Sequence, residues 1–170
     1  MPDTQHQQSS HGVMVSIDGQ GVLITGLPAS GKSSLALALV EAGHQLVADD
    51  VIEVSSSENQ LYGHCPNMLK GLLHTRELGT MDIEKLYGRD AILESAPLQY
   101  VVELSEQPIP EAIEGQRHYT RLMKQRLPLL KLNPNNPASV MTRLLVWLKL
   151  QHQADASLEM KRRQQAQMQQ

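Results

Sequence analysis

The stretch GVLITGLPASGKSSLALALVEAGHQLVADD, residues 21–50, decides the fold of this 170-residue chain. It opens with the apolar residues 22–25, passes through a glycine-rich loop, and continues with strong helix formers over residues 33–42. The apolar run is typical of a buried strand, and Gly43 is a natural helix stop. A strand, a glycine-rich loop and a helix in this order predict an α/β domain with a ligand at the loop.

The glycine-rich loop has the sequence GLPASGKS and matches the phosphate-loop pattern G-x-x-x-x-G-K-[ST] at each fixed position. Its glycines let backbone N–H groups approach phosphate oxygens, and the following helix directs its positive end at the same oxygens. Lys32 adds a charge for the outer phosphates, and the Ser33 hydroxyl suits magnesium. The predicted nucleotide-binding residues are Gly26, Leu27, Pro28, Ala29, Ser30, Gly31, Lys32, Ser33 and Ser34.

Two adjacent carboxylates, Asp49 and Asp50, follow the short apolar segment at residues 46–48. Aspartate pairs also occur in solvated turns, but the upstream phosphate loop favours a functional role here. One carboxylate can hold a metal ion or its waters while the other accepts a proton from an attacking hydroxyl. We therefore expect this pair at the phosphate site.

The composition favours one soluble globular domain, with 41% hydrophobic and 19% charged residues. No apolar run has the length of a membrane span, and the N-terminal sequence MPDTQHQQSSHG lacks the features of a signal peptide. A net charge of −3 and the absence of Phe argue against nucleic acid as a partner. The single cysteine, Cys65, fits a reducing cytoplasm.

The chain divides by composition into three parts. We expect residues 1–10 to be a disordered polar extension, residues 11–152 to form the domain, and residues 153–170 to be a polar, Gln-rich tail. Within the domain, residues 98–104 and 127–132 predict further strands. A helix is expected to open at Asn136-Pro137, since proline suits a first helical turn.

Together with His11-Gly12, residues 21–50 resemble the catalytic domain of HPr kinase/phosphorylase, the bacterial family that phosphorylates a serine of the sugar-transport carrier HPr. The similarity continues weakly to about Gln151 and is closest to the short form without a separate N-terminal domain. It implies a single P-loop α/β domain related to phosphoenolpyruvate carboxykinase, with a mixed sheet and flanking helices, usually assembled as a homo-hexamer. It also implies ATP and Mg2+ as cofactors, and HPr or a related phosphocarrier as partner.

The resemblance assigns roles to individual residues. His11 stands 22 residues before Ser33, the spacing at which the family keeps a catalytic histidine. Asp50 falls on the proton-shuttling aspartate, and Lys32 and Ser33 fall on the phosphate and magnesium residues. The implied catalytic residues are Asp50, His11, Lys32 and Arg76, and the implied metal ligands are Ser33 and Asp49.

The second family signature is matched only in part by residues 73–83, LHTRELGTMDI. Arg76 agrees with that signature, but His74 replaces a glutamate associated with magnesium, and Glu77 replaces a glycine. A neutral histidine is a poorer ligand for a hard cation than a carboxylate. We therefore expect magnesium to depend on Ser33 and an aspartate, or Glu77 to substitute from a shifted position.

Arginines of the family are also missing from their usual place. The segment at residues 133–137, NPNNP, carries none of the arginines that the family links to dephosphorylation, and either Arg117 or Arg121 stands for a further expected arginine. The favoured interpretation is a protein-serine kinase with weak reverse phosphorolysis. The alternatives are a non-enzymatic nucleotide-sensing protein on the same fold, or a small-molecule kinase.

Overall fold

The computed structural model describes residues 7–111 and 117–169. Its strands are β1 Gln7–His11, β2 Val13–Ile17, β3 Gln20–Gly26, β4 Gln45–Ala48, β5 Val51–Ser57, β6 Gln60–His64, β7 Leu72–Thr75, β8 Gly79–Asp82, β9 Ser95–Leu104, β10 His118–Leu122 and β11 Gln125–Leu132. Its α-helices are α1 Lys32–Glu41, α2 Ile83–Tyr87 and α3 Val140–Met168, and short 3₁₀ turns lie at Asn67–Leu69 and Arg89–Ala91.

Nine of the described strands form one mixed, branched sheet. One path runs β1-β5-β6-β9-β3-β2-β4, and β10 joins β9 through β11. The branch lies on β9, one edge of which pairs with β6 near Pro97 and then with β11 from Val101 onward. The remaining strands, β7 and β8, form a separate hairpin. This architecture confirms the α/β fold class with a mixed sheet and flanking helices.

The chain bends sharply at two places where one strand follows another almost directly. β1 and β2 are separated only by Gly12, while β4 and β5 are separated only by Asp49 and Asp50. Because β1 pairs with β5 and β2 pairs with β4, the two bends lie next to each other. The chain therefore continues beyond Asp50 as a strand, but in a different arm of the curled sheet.

The strand directions indicate which edge of the sheet carries the candidate site. β3, β4, β9 and β11 run in the same direction, so that their carboxyl ends meet there, and β2 begins at that edge. The phosphate loop, the two aspartates and residues 133–139 all leave from this edge. Ligands of open α/β sheets bind outside the carboxyl ends of strands, so the topology selects this edge.

Two hydrophobic clusters hold the layers together. One lies between the sheet and the helices and includes Leu39, Leu73, Ile83 and Leu144, each fully buried. The other lies between the arms of the curled sheet and is built around residues such as Met14. Burial of this apolar area is the main stabilising contribution to the layered arrangement.

The start of helix α3 differs from the sequence expectation. It begins at Val140 rather than at Asn136-Pro137, because the Asn136 side chain forms a local turn by accepting from the Ala138 N–H at 3.0 Å. Ser139 then serves as N-cap, accepting from the Thr142 N–H. At the other end, residues 153–168 continue the helix, since this segment has strong helix formers and no Gly or Pro.

The polar N-terminus also differs from expectation. Residues 7–10 were expected to be disordered, but they belong to β1 and pair with β5 from Gln7↔Ser55 to His11↔Val51. Backbone hydrogen bonds form regardless of side-chain polarity, so the composition of this segment did not reveal the strand. Among the helices of residues 7–111 and 117–169, none is both long and apolar enough to cross a membrane.

Candidate active site

The phosphate loop connects β3 to α1 over the carboxyl end of β9. Gly26 has φ 148°, and a Cβ added there would lie 2.8 Å from the Leu104 carbonyl oxygen and 2.7 Å from Ser30 Oγ. Gly31 has open space around it but a φ of 100°, a conformation that favours glycine. It is the N-cap of α1 and provides no side-chain cap, so the first N–H groups of α1 are available to an anion.

Lys32 and Ser30 direct polar groups toward this loop. The Lys32 ammonium donates to the carbonyl oxygens of Gly26 and Leu27, both at 2.9 Å, which holds the charge against the loop. Ser30 Oγ is buried and has no hydrogen-bond partner among the described residues. Leu27, Pro28, Ala29 and Ser34 are exposed. The loop therefore combines an accessible outer rim with polar groups fitted to phosphate oxygens.

The Asp49 carboxylate is fixed by two donors at the start of α1 and on the hairpin. Its Oδ1 accepts from the Ser33 hydroxyl at 3.2 Å, and its Oδ2 accepts from the His74 backbone N–H at 2.9 Å. A hydroxyl and a carboxylate oxygen side by side are the hard donors that Mg2+ prefers. The donor types present therefore fit a magnesium ion, and Ser33 and Asp49 are the residues that would hold it.

Asp50 is exposed and lies beside the bend that follows His11. The Asp50 carbonyl oxygen accepts from the Gly12 N–H at 3.0 Å, and His11 is the strand partner of Val51. Asp50 has φ 71°, a left-handed conformation that is unfavourable for most residues and is often retained at functional sites. Within the described part of the chain, the side chains of Asp50 and His11 make no hydrogen bond, so both are available to a reactant.

The β7–β8 hairpin contains most of the second family signature, residues 73–83, and its backbone contacts the candidate site. Leu73 is buried against the helical layer, which positions the His74 N–H on Asp49. The His74 imidazole is exposed, and its Nδ1 lies 3.0 Å from Thr80 Oγ1 across the hairpin. Arg76 and Glu77 lie in the exposed turn that joins β7 to β8. Thus the structure places position 74 beside the predicted metal ligands, and its backbone makes the contact.

The structure shows how several arginines lie relative to this edge of the sheet. Because β10 runs antiparallel to β11, Arg117 lies nearer to the phosphate edge than Arg121. Sequence reasoning missed Arg143 in the first turns of α3, which donates through Nη2 to the Asn133 and Ala138 carbonyl oxygens at 3.1 and 3.0 Å. Because the sequence predicted that this helix opens at Asn136-Pro137 rather than at Val140, it did not indicate that Arg143 faces back onto this loop.

The fold and this site define an α/β domain of the P-loop class, with a glycine-rich loop at the start of α1 and a hydroxyl–carboxylate pair beside it. The chain matches the family described as "HPr Serine kinase C-terminal domain" over residues 3–162. It therefore belongs to the HPr serine kinase C-terminal domain family, and the resemblance found from the sequence is confirmed.

Individual relatives agree with this assignment. HPr kinase/phosphorylase from Bordetella avium is 45% identical over 95 residues, which are 55% of this chain and 31% of that protein. The protein of the same name from Limosilactobacillus reuteri is 46% identical over 99 residues, 58% of this chain and 31% of the relative. These alignments thus span about a third of the relatives' length.

A solved structure extends the similarity to most of the domain. It is described as the structure of the Hpr(Ser) kinase/phosphatase from Coxiella burnetii, and it is 31% identical to this chain with a TM-score of 0.77. The match covers 88% of this chain and 93% of the other. The two chains therefore share the fold over nearly their whole length.

Proposed function

We propose that this chain is an ATP-dependent protein-serine kinase of the HPr kinase type, with HPr or a related phosphocarrier as acceptor. The observation that carries the proposal is the difference in environment between two adjacent aspartates. Asp49 is tied to Ser33 and to the His74 N–H, whereas the Asp50 side chain is exposed and makes no hydrogen bond within the described residues. One carboxylate therefore serves the cation, and the other remains available as a base.

ATP is the proposed phosphate donor, and its phosphates would bind the backbone N–H groups of the loop and of the first turn of α1. Lys32 and Ser30 add donors, and the exposed Leu27 lies on the rim. Mg2+, held through Ser33 and Asp49, would neutralise charge on the phosphates. The chain's own contribution is orientation and fixed positive potential, which account for most of the catalysis in phosphoryl transfer.

In the transfer step, Asp50 accepts the proton of the acceptor serine hydroxyl. The serine oxygen forms a bond to the terminal phosphorus of ATP as the bond from that phosphorus to the bridging oxygen breaks, and the electron pair leaves with ADP. His11 lies beside Asp50 and would orient it, while Arg76 would stabilise charge on the transferred group. The products are phosphoserine and ADP, and the protonated Asp50 returns its proton to water.

The assembly and the reverse reaction follow from the family as further proposals. We expect a homo-oligomer in the cytoplasm, with a hexamer as the form implied by the resemblance. We expect phosphorolysis of the phosphoserine by inorganic phosphate to be weak, since residues 133–137 contain no cationic side chain. The guanidinium of Arg143 contacts this segment, but it donates to backbone carbonyls there.

A non-enzymatic nucleotide sensor is the second candidate function. It is favoured by position 74, where an imidazole bonded to Thr80 stands in place of the family's glutamate. A cation with one fewer carboxylate would bind less tightly, so that nucleotide binding persists while transfer is lost. The third possibility, a small-molecule kinase, uses the same phosphate site with a different acceptor.

The test is transfer from labelled ATP to purified HPr, followed by mapping of the modified residue. Asp50→Asn should lower the transfer rate by about a hundredfold or more while leaving ATP affinity unchanged, because the amide cannot accept the proton. Asp90→Asn, at an exposed position remote from the loop, is the matched control. A parent protein that binds ATP without labelling HPr would support the sensor, and undiminished transfer by Asp50→Asn would refute the role of the base.

A further inference from the structure

A cleft lies at the opposite edge of the sheet from the phosphate loop, where β3 begins. It has a volume of about 430 Å³ and is bounded by β3, β9, β11 and the middle of α3. Leu98 on its wall is six residues before Leu104, which underlies the phosphate loop, so the two sites are roughly 20 Å apart at about 3.3 Å per residue. The cleft is therefore too distant to be part of the phosphate site.

The branch in the sheet creates this cleft. The pairing of β9 with β6 ends at Pro97, and its pairing with β11 begins at Val101. On its other edge, β9 pairs Leu98 with Gly21 and Tyr100 with Val22, so that Gln99 is an additional residue in the ladder. Such bulges redirect side chains and are frequent beside functional sites.

The walls of the cleft are rich in amides. Five glutamines contribute to them: Gln20, Gln60, Gln99, Gln125 and Gln151. The first contacts His152 Nε2 through its Oε1 at 3.0 Å, but the Gln99 Oε1 atom is buried and has no hydrogen-bond partner among the described residues. A buried carbonyl oxygen without a donor is unfavourable, so a donor group on a bound molecule would satisfy it.

The cleft also contains opposite charges that are not paired with each other. Arg126 and Asp155 both line it, and neither takes part in an ion pair within residues 7–111 and 117–169. The Arg126 guanidinium is held 3.7 Å from the centre of the Tyr119 ring. Asp155 and Tyr100 both line the cleft; burial raises the pKa of the Tyr100 hydroxyl, and the charge of the Asp155 carboxylate adds to this increase.

We propose that this cleft binds a free α-amino acid with an amide side chain, of which L-glutamine is the representative. Its carboxylate would pair with Arg126 and its ammonium group with Asp155, while its side-chain amide would donate to Gln99 Oε1. A neutral sugar would leave both charges without a partner, and a nucleotide would place excess negative charge beside Asp155. This site goes beyond the proposed kinase function and does not depend on it.

The test is calorimetric titration with L-glutamine in the absence of nucleotide, so that the phosphate site plays no part. We expect a Kd on the order of 0.01–1 mM, typical of a small ligand with a few charge-assisted contacts. Arg126→Gln and Asp155→Asn should each weaken binding by about tenfold to a hundredfold. N-acetyl-L-glutamine, which lacks the ammonium charge, should be weakened to a similar degree in the parent protein.

The matched control is Arg121→Gln. Arg121 is the direct strand partner of Arg126, is exposed, and carries the same charge, but it does not line the cleft. Unchanged affinity in this variant supports a specific site. Equal weakening in both arginine variants would mean that binding depends only on the overall positive charge, and it would overturn the proposal. Binding of D-glucose in place of L-glutamine would also overturn it. So would the absence of L-glutamine binding up to about 10 mM.

Discussion

The phosphate loop and the β7–β8 hairpin both serve the candidate active site, but they do so with different parts of the chain. The loop acts through residues that its own sequence places, such as Lys32 and the glycines around it. The hairpin acts through the His74 backbone N–H, which reaches Asp49 because Leu73 is buried against the helical layer. The placement of the loop residues is determined by the local sequence, whereas the placement of the His74 N–H is determined by tertiary packing.

The largest effect should come from disturbing the hairpin's anchor. Leu73 is fully buried, so Leu73→Ala should lower the free energy of unfolding by about 2–5 kcal/mol through lost burial and a cavity. Thermal and denaturant unfolding measure this change. Leu78→Ala, in the exposed turn of the same hairpin, is the control and should have little effect. Equal stability of the two variants would mean that packing does not hold the hairpin in place.

A smaller effect is expected from the phosphate loop. Lys32→Ala removes a charge-assisted contact to phosphate worth about 1.5–3 kcal/mol, which is at least a tenfold loss of ATP affinity. Its effect on stability should be slight, in contrast to Leu73→Ala. Calorimetric titration with Mg-ATP measures the affinity, with Lys149→Ala on the exposed face of α3 as control. Unchanged affinity in Lys32→Ala would exclude the assigned phosphate site.

The smallest effect should appear at His74, where the hairpin contacts Asp49, one of the two proposed metal ligands. His74→Glu adds a carboxylate beside Asp49, so the magnesium concentration needed for half-maximal nucleotide binding should fall several-fold, or by about 1 kcal/mol. His74→Gln has the same length without the charge and should leave that concentration unchanged. If the two variants behave alike, the side chain at position 74 lies outside the metal shell, and only its backbone contributes.

Much of the site was predictable because its residues are close together in the sequence. The eight-residue loop, the helix that follows it and the two aspartates all lie within residues 21–50. The α/β fold and the family were also predicted. The start of α3 was wrong because side-chain turns at Asn133 and Asn136 competed with the helix.

By itself, the sequence determined the chemical groups of the candidate site: a loop with the phosphate-binding pattern, a lysine and a serine at its end, and a carboxylate pair. Only the tertiary structure decided how that chemistry is divided. It placed the Asp49 carboxylate within hydrogen-bond distance of Ser33 and the His74 N–H, left Asp50 exposed next to the bend after His11, and placed both Arg126 and Asp155 on the lining of one cleft at the sheet's branch. The physical reason is that local patterns fix backbone conformation and residue type, whereas contacts between distant residues depend on strand register and burial.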